Sequence, residues 1–287
     1  FTASRTSSAP QTGSGASVHT NWTPRVFCCV AIAFNTHSPI DSAVHPICTA
    51  AVTETARLVE GLGHLPIEAQ PAIDGDVYAQ SYVIMNFGEV AADLEELQTF
   101  LGRRPGPHDV ETLTAITGLL GRTFSAGDFV RSLRQWGRMG RIMGGFFQDY
   151  DLYLTPTLAC PPPLIGALQP KRHEQTAMKV ITALGVGRLL KASGIVDKLA
   201  RDNSSLTPFT MLANMTGIPA MSVPLHWTPE GLPVGVQFFA PFGDETTLLQ
   251  LAAQLEEAHQ ALLHSSSSRK RFARSFSTTS SMSSRKH

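Results

Sequence analysis

The feature that most constrains the fold is a segment rich in turn residues between positions 205 and 243. Its helical first part ends at Gly217, where a residue without a Cβ tolerates the backbone of a helix end, and Pro219 then opens an apolar strand. A second turn, Gly231-Leu-Pro233, opens a neighbouring strand whose Gly235 permits a close backbone approach. Such a tightly built pair of strands is typical of the support of a binding site, although a hairpin without a ligand has the same pattern.

Upstream of this segment, strand and helix patterns alternate. Residues Val26 to Phe34 form an apolar, partly β-branched stretch, which predicts a buried strand. Residues Pro46 to Leu62 carry apolar side chains on one helical face and are followed by Gly63, which predicts a helix. A short strand over Leu65 to Glu68 would complete a βαβ unit.

The middle of the chain, Tyr78 to Phe147, has a helical pattern, with Ser125 as the expected N-cap of its last helix. Apolar residues recur on that helix at three- and four-residue intervals, and we expect this apolar stripe to be buried in the core. It comprises Phe129, Leu133, Trp136, Met139 and Phe146. The elements expected after it are a strand over Tyr150 to Thr157, a helix over Ala177 to Ala200, a helical turn over Thr210 to Met215, strands over Ala220 to Leu225 and Pro233 to Ala240, and a helix over Glu245 to His259. The pattern predicts an α/β fold with a mixed sheet flanked by helices.

Charge and composition exclude several classes of protein. The chain has 23 basic and 23 acidic residues, so its formal net charge of zero argues against a nucleic-acid partner. No apolar run reaches the roughly 18 residues that a membrane-spanning helix needs, so no membrane partner is expected. The four cysteines, Cys28, Cys29, Cys48 and Cys160, have no metal or disulfide spacing, so we expect buried thiols in a reducing, cytoplasmic compartment.

The two ends differ in composition from the rest. The first residue is Phe1 rather than Met, which indicates a processed or incomplete product. We expect residues 1–25, which contain no acidic side chain, to be a disordered leader, and residues 264–287, rich in Ser and Arg, to be a disordered tail. Residues 26–263 are then the folded part.

Common catalytic motifs are missing. The chain has no G-x-S-x-G elbow, no H-E-x-x-H pair and no glycine-rich phosphate loop of either common type. Its ten histidines lack the spacing of metal ligands. The residues alone therefore predict neither a cofactor nor a metal, and they reveal no nucleophile.

The segment from Ser205 to Pro224, with Gly231 to Gln237 and Gly243-Asp244-Glu245 after it, resembles the C-terminal signature of the amidase signature family. The resemblance extends upstream through the region around Ala31 to His64 and the strand at Tyr150 to Thr157, and covers roughly residues 30 to 262. Its details most resemble the branch with hydrolases of cyclic aminohexanoate dimers. The resemblance implies an amidase-type mixed sheet, incomplete at its N-terminal side, and hydrolysis of carbon–nitrogen bonds.

Amidases of this family use a lysine, a bridging serine and a nucleophilic serine, with backbone N–H groups holding the oxyanion. None of these catalytic residues is found here, because the first lysine is Lys171 and no Gly/Ser-rich stretch has the family pattern. Thr12 to Ser17 is a faint echo of that stretch, and Ser204-Ser205 is better explained as a helix cap. The resemblance assigns no catalytic residue, and offers Thr155, Pro156 and Asn214 as candidates for the substrate pocket.

Three interpretations stay open at this level. The chain is a C-terminal portion of an amidase whose catalytic segment lies elsewhere, a catalytically inactive homologue that acts as a ligand-binding or assembly subunit, or a truncated product without function. The expected partner is a small-molecule amide, and the sequence leaves open whether the chain forms a homodimer.

Overall fold

The computed structural model describes residues 29–106, 108–192 and 204–258. The described part contains one five-stranded sheet in the order β2-β1-β3-β5-β4, with helices on both faces. The strands are β1 (Ala31–Phe34), β2 (Leu65–Glu68), β3 (Leu152–Pro156), β4 (Ala220–Trp227) and β5 (Pro233–Phe239). The predicted α/β class with a mixed sheet is therefore confirmed.

The predicted βαβ unit is present. Strands β1 and β2 are parallel neighbours, with Ala31 opposite Leu65, and helix α1 (Pro46–Gly61) connects them. Strand β1 is shorter than the sequence predicted, beginning at Ala31, and residues 26–28 lie outside the described residues. A proline at the start of α1 is compatible with the helix because the first helical N–H has no intrahelical partner.

Strand β3 makes the sheet mixed. It is parallel to β1 and antiparallel to β5, which in turn pairs antiparallel with β4. Strand β4 runs two residues beyond its predicted end, to Trp227, across a register shift between Pro224 and His226. Proline is tolerated there because β4 is an edge strand within the described sheet.

One face of the sheet packs against α1 and a helix over residues 245–258, which we name α8. Alternate residues of the strands, such as Ile32, Leu154 and Phe238, are fully buried in this core. Leu251 and Leu255 of α8 bury their side chains against it, so the predicted last helix is confirmed up to residue 258. Residue 259 lies outside the described residues.

The opposite face is covered by the long helices. These are α2 (Gly75–Leu101) and α4 (Ala126–Phe146), together with the short helix α7 (Met211–Thr216) that corresponds to the predicted helical turn. Helix α3 (Thr112–Gly121) packs on α2, where Leu120 is buried with Val83 and Phe87. Ser125 caps α4 as predicted, and its side chain accepts a hydrogen bond from the Asp128 N–H. The predicted apolar stripe is only partly core, because Met139 is buried while Leu133 is 52% exposed.

The predicted helix over Ala177 to Ala200 is wrong in its boundaries. The structure has α5 (Arg172–Leu184) and α6 (Gly187–Ala192), separated at Gly185, whose φ of +66° ends the first helix in the left-handed conformation. Residues 193–200 lie outside the described residues. The break was missed because an amphipathic pattern can continue in phase across a helix end.

The cysteine prediction is also only partly right. Cys48 is buried, and burial raises the pKa of its thiol to about 11. Cys160 is half-buried, while Cys29 is exposed, contrary to the expectation of buried thiols. Cys28 lies outside the described residues, as do the predicted leader (1–25) and the predicted tail (264–287), which stay predictions.

Candidate active-site cavity

A cavity of about 420 Å³ lies where the three parallel strands end. Asn35 follows β1, Gln70 follows β2 and Thr155 belongs to the end of β3, and all three line the cavity. The carboxyl ends of parallel strands are the usual place for ligands in α/β proteins. The topology of the sheet therefore builds this cavity where a binding site is expected.

Asn35 organises the polar rim of the cavity. Its side chain is 6% exposed, and its Nδ2 donates to Gln70 Oε1 at 2.7 Å and to the His37 carbonyl at 3.0 Å. Its Oδ1 accepts from the His37 backbone N–H at 2.8 Å. One amide therefore fixes the loop after β1 and ties it to the loop after β2.

A tight turn over Ser38 to Asp41 forms the next part of the rim. The Asp41 N–H donates to the Ser38 carbonyl at 3.1 Å, and Ser38 Oγ accepts from the Ile40 N–H at 3.3 Å. The turn lies against the start of α2, because a Cβ on Gly75 would come within 2.2 Å of the Pro39 carbonyl oxygen. Glycine is required at position 75 by this close approach.

Aromatic side chains form the apolar wall. Tyr78 is fully buried and donates its hydroxyl to the Pro208 carbonyl at 2.9 Å, which joins α2 to the segment before α7. Tyr153 stacks on Phe239 with ring centroids 5.7 Å apart. Burial raises the pKa of both tyrosines well above the ordinary value, so both phenols are neutral and serve as hydrogen-bonding, apolar wall groups.

The three predicted pocket residues lie in different environments. Thr155 is buried and lines the cavity, and its Oγ1 donates to the Pro156 carbonyl at 3.0 Å. Pro156 is buried at the end of β3, and Asn214 is exposed on α7; neither is among the residues that line the cavity. A role of Thr155, Pro156 and Asn214 in substrate binding stays a prediction.

The close backbone approach predicted at Gly235 is present. A Cβ at this position would lie 2.8 Å from both Ser222 Oγ and Thr157 Oγ1. Those two hydroxyls are hydrogen-bonded to each other at 2.7 Å across the end of the sheet. The glycine thus leaves room for a polar bridge between the segment after β3 and strand β4.

The cavity wall holds no lysine among the described residues. Lys171 is exposed and is the N-cap residue directly before α5, where its backbone N–H donates to the Glu174 side chain. The wall residue Ser38 has its Oγ 2.8 Å from Ser42 Oγ, but Ser42 does not line the cavity. Ser204 is buried, and its Oγ has no hydrogen-bond partner among the described residues, so the expected helix cap stays a prediction. The stretch Thr12 to Ser17 lies outside the described residues.

Several cavity residues were not predicted, chiefly Asn35, His37, Asp41 and Gln70. The available signal was that Asn35 directly follows the apolar strand β1, and that Gln70 is the second residue after the end of β2. Polar residues at the carboxyl ends of neighbouring parallel strands meet at one edge of a sheet. Within the described residues no three His, Cys, Asp or Glu side chains cluster as metal ligands would.

Comparison with known proteins identifies the family. The family model described as Amidase matches residues 190–249. A lipoamidase of Enterococcus faecalis is 30% identical over 80% of this chain and 31% of its own length. A 6-aminohexanoate-cyclic-dimer hydrolase of a Pseudomonas species is 31% identical over 78% of this chain and 43% of its own.

The fold agrees with these matches. A solved structure of 6-aminohexanoate cyclic dimer hydrolase superposes with a TM-score of 0.66 at 24% identity, over 82% of this chain and 46% of that chain. The chain belongs to the amidase signature family. It spans less than half the length of these relatives, and the described residues contain no helix long and apolar enough to cross a bilayer.

Proposed function

We propose that this chain forms the substrate-binding side of an amide hydrolase whose Lys/Ser/Ser catalytic segment belongs to a part of the protein outside the matched residues. The observation that carries the proposal is the cavity of about 420 Å³ at the carboxyl ends of β1, β2 and β3. Its wall comes from the segments that resemble the amidase family, including Thr155 and the stretch from Pro208 to Leu212. The two relatives are named for reactions on amides, which supports an amide substrate.

The wall chemistry suits such a substrate. The wall combines neutral polar side chains, among them Asn35, Gln70 and Thr155, with aromatic groups such as Phe209 and Phe239. An amide with an alkyl chain needs both kinds of wall, because its carbonyl and N–H require hydrogen bonds while its chain gains from apolar burial. A small-molecule amide is therefore the partner that we propose.

A buried acceptor beside the cavity supports a further segment packing there. Gln237 is 5% exposed, and its Oε1 has no hydrogen-bond partner among the described residues. It is paired with Thr155 on one side and with Ser222 on the other, and Ser222 is exposed. Buried acceptors are nearly always satisfied, so a donor from outside the described residues fits this place.

A serine-directed fluorophosphonate, applied to the native protein that contains this chain, tests the proposal. We expect covalent labelling at a serine outside residues 29–258, located by mass spectrometry of peptides, together with release of amine from a simple aliphatic amide. Labelling that an amide substrate competes for would support the binding role of the cavity. A folded native protein that is neither labelled nor active would contradict the proposal.

A second candidate function is that of a catalytically inactive homologue that binds an amide-like ligand or serves in assembly. The observation that favours it is the ligand-sized cavity whose described wall has no lysine. Thermal stabilisation of the protein by an amide, without any product, would favour this candidate, because selective binding to the folded state raises stability. Light scattering on the same sample would distinguish a monomer from the homodimer. A cytoplasmic location is part of the same proposal.

A further inference from the structure

Among the described residues, the cavity wall carries one carboxylate, that of Asp41. Asp41 lines the cavity and is exposed, so its carboxylate lies where the cavity meets solvent. No lysine or arginine is among the wall residues of the described chain. His37 also lines the cavity, and its ring Nδ1 lies 3.2 Å from Asn35 Oδ1. Among the described residues, Asp41 therefore gives the mouth of the cavity a negative charge.

The position of this carboxylate is set by the backbone around it. Asp41 has a φ of +53°, a conformation that Asp and Asn adopt more readily than most residues. Its N–H is bound to the Ser38 carbonyl, and the same turn is pressed against Gly75. The mouth therefore presents Asp41 from a fixed turn, which reduces the entropy that a ligand contact costs.

The neighbouring start of α2 does not reverse this charge. The Asp74 side chain accepts from the Val77 N–H at 3.0 Å, so a carboxylate already occupies a donor of the first helical turn. Asp76 adds a second carboxylate to that turn. Neither Asp74 nor Asp76 lines the cavity, so Asp41 is the one carboxylate of the described wall.

We infer that Asp41 makes the cavity selective for amides that also carry a protonated amine, by pairing with that ammonium group at the mouth. The inference rests on the proposed function, because it takes the cavity to be the amide-binding site. The alkyl chain of such a substrate would lie along the aromatic wall of Tyr153, Phe209 and Phe239. A carboxylate in place of the amine would be repelled.

Three linear amides of equal chain length test the inference on the native protein that contains this chain. They are hexanamide, 6-aminohexanamide and adipamic acid, which end in a methyl group, an ammonium and a carboxylate. The readout at pH 8 is kcat/KM where the amide is cleaved, and Kd from calorimetry where it is bound without cleavage. We expect 6-aminohexanamide to be favoured over hexanamide by about threefold to fivefold, as for a partly exposed ion pair, and adipamic acid to be the weakest.

Two matched variants separate the carboxylate from a general loss of charge. Asp41→Asn should bring the ratio between 6-aminohexanamide and hexanamide close to one and should improve adipamic acid. Asp93→Asn removes an exposed carboxylate on α2, eighteen residues or about 27 Å along the helix from Gly75, and should keep the wild-type ratio. Asparagine tolerates the positive φ of position 41, so the turn is expected to persist.

The wild-type protein provides a measurement that does not depend on either variant. Raising the salt concentration to about 1 M shortens the screening length to about 3 Å and should abolish the preference for the amine. Equal values for hexanamide and 6-aminohexanamide at low salt, or an unchanged ratio in Asp41→Asn, would overturn the inference while leaving the proposed function in place. If none of the three amides were cleaved or bound, the proposed function would fail, and the inference with it.

Discussion

Asn35 and Gln70 join the ends of two parallel strands through a hydrogen bond of 2.7 Å between Asn35 Nδ2 and Gln70 Oε1. Asn35 directly follows β1, while Gln70 lies two residues after the end of β2. The strands are held in register by their own backbone hydrogen bonds, so this side-chain contact fixes the loops rather than the sheet. Through its side chain, Asn35 therefore holds together the two loops that follow β1 and β2 at the cavity rim.

Replacing Asn35 should destabilise the protein and widen the rim. Asn35→Ala removes the hydrogen bonds to Gln70, to the His37 carbonyl and from the His37 N–H, so we expect a loss of about 2 kcal/mol in the free energy of unfolding. Urea denaturation measures this loss. Affinity for an amide ligand should fall as well.

Gln70→Ala is the matched control for this change. Gln70 is exposed, and in its absence Asn35 Nδ2 still donates to the His37 carbonyl, so the expected loss is below about 1 kcal/mol. Equal losses in the two variants would show that the bond between Asn35 and Gln70, and not the local turn at Asn35, dominates the rim.

Two glycine-to-alanine changes should have opposite signs. At Gly235 a Cβ would lie 2.8 Å from both Ser222 Oγ and Thr157 Oγ1, so Gly235→Ala should cost about 1–3 kcal/mol and break the bridge between those hydroxyls. At Gly144, on the exposed side of α4, a Cβ meets nothing within 4 Å, so Gly144→Ala should stabilise by about 0.5–1 kcal/mol. Thermal unfolding of both variants checks the signs, and a neutral Gly235→Ala would contradict the close approach.

The sequence predicted the order and type of the elements well, because strands such as Ala31–Phe34 and helices such as α4 have clear apolar periods and caps. The prediction failed at Gly185, because the amphipathic pattern continues through this residue while its left-handed backbone conformation ends α5. Extended pattern alone does not reveal a helix break of this kind.

The cavity was harder to predict than the fold. Thr155 was found through the family resemblance, yet Asn35, Asp41 and Gln70 come from loops that meet only once the parallel strands are in register. Their proximity is a property of strand order, which a single sequence does not state. Asn214 shows the converse, since a residue in a distinctive motif lies exposed outside the cavity wall.

Acid should weaken the start of α4 through Asp128. Hydrogen bonds from the Ser125 backbone N–H and then from Ser125 Oγ hold the pKa of Asp128 well below its ordinary value. Because the pKa is lower in the folded state, the stabilisation is complete above the ordinary pKa of about 4 and is lost as pH falls through the folded pKa. We expect Asp128→Asn to lose about 1 kcal/mol at pH 7 and to show a weaker decline in stability below pH 4 than the wild type.

Asp93→Asn serves as the comparison for this acid dependence, since Asp93 is exposed on the neighbouring helix α2. Urea unfolding at a series of pH values between about 2 and 7 gives the free energy of unfolding for each protein. The lower part of this pH range covers the titration of carboxylates. A wild-type curve parallel to that of Asp128→Asn throughout this range would contradict the role of the cap.

The hydrogen bond between Tyr78 and Pro208 should show itself both by substitution and at high pH. Tyr78→Phe removes a buried hydroxyl that donates to the Pro208 carbonyl at 2.9 Å, so we expect a loss of about 1 kcal/mol or more in unfolding free energy. Tyr82→Phe is the matched control, because Tyr82 is half-buried and stacks on Trp136 through its ring, which phenylalanine retains.

Burial raises the pKa of Tyr78 in the folded state, so the unfolded chain releases the phenol proton first and the protein loses stability as pH rises above about 10. Urea unfolding between about pH 8 and 11 should therefore show a smaller alkaline loss in Tyr78→Phe than in Tyr82→Phe, and equal losses in the two variants would contradict the assignment to Tyr78.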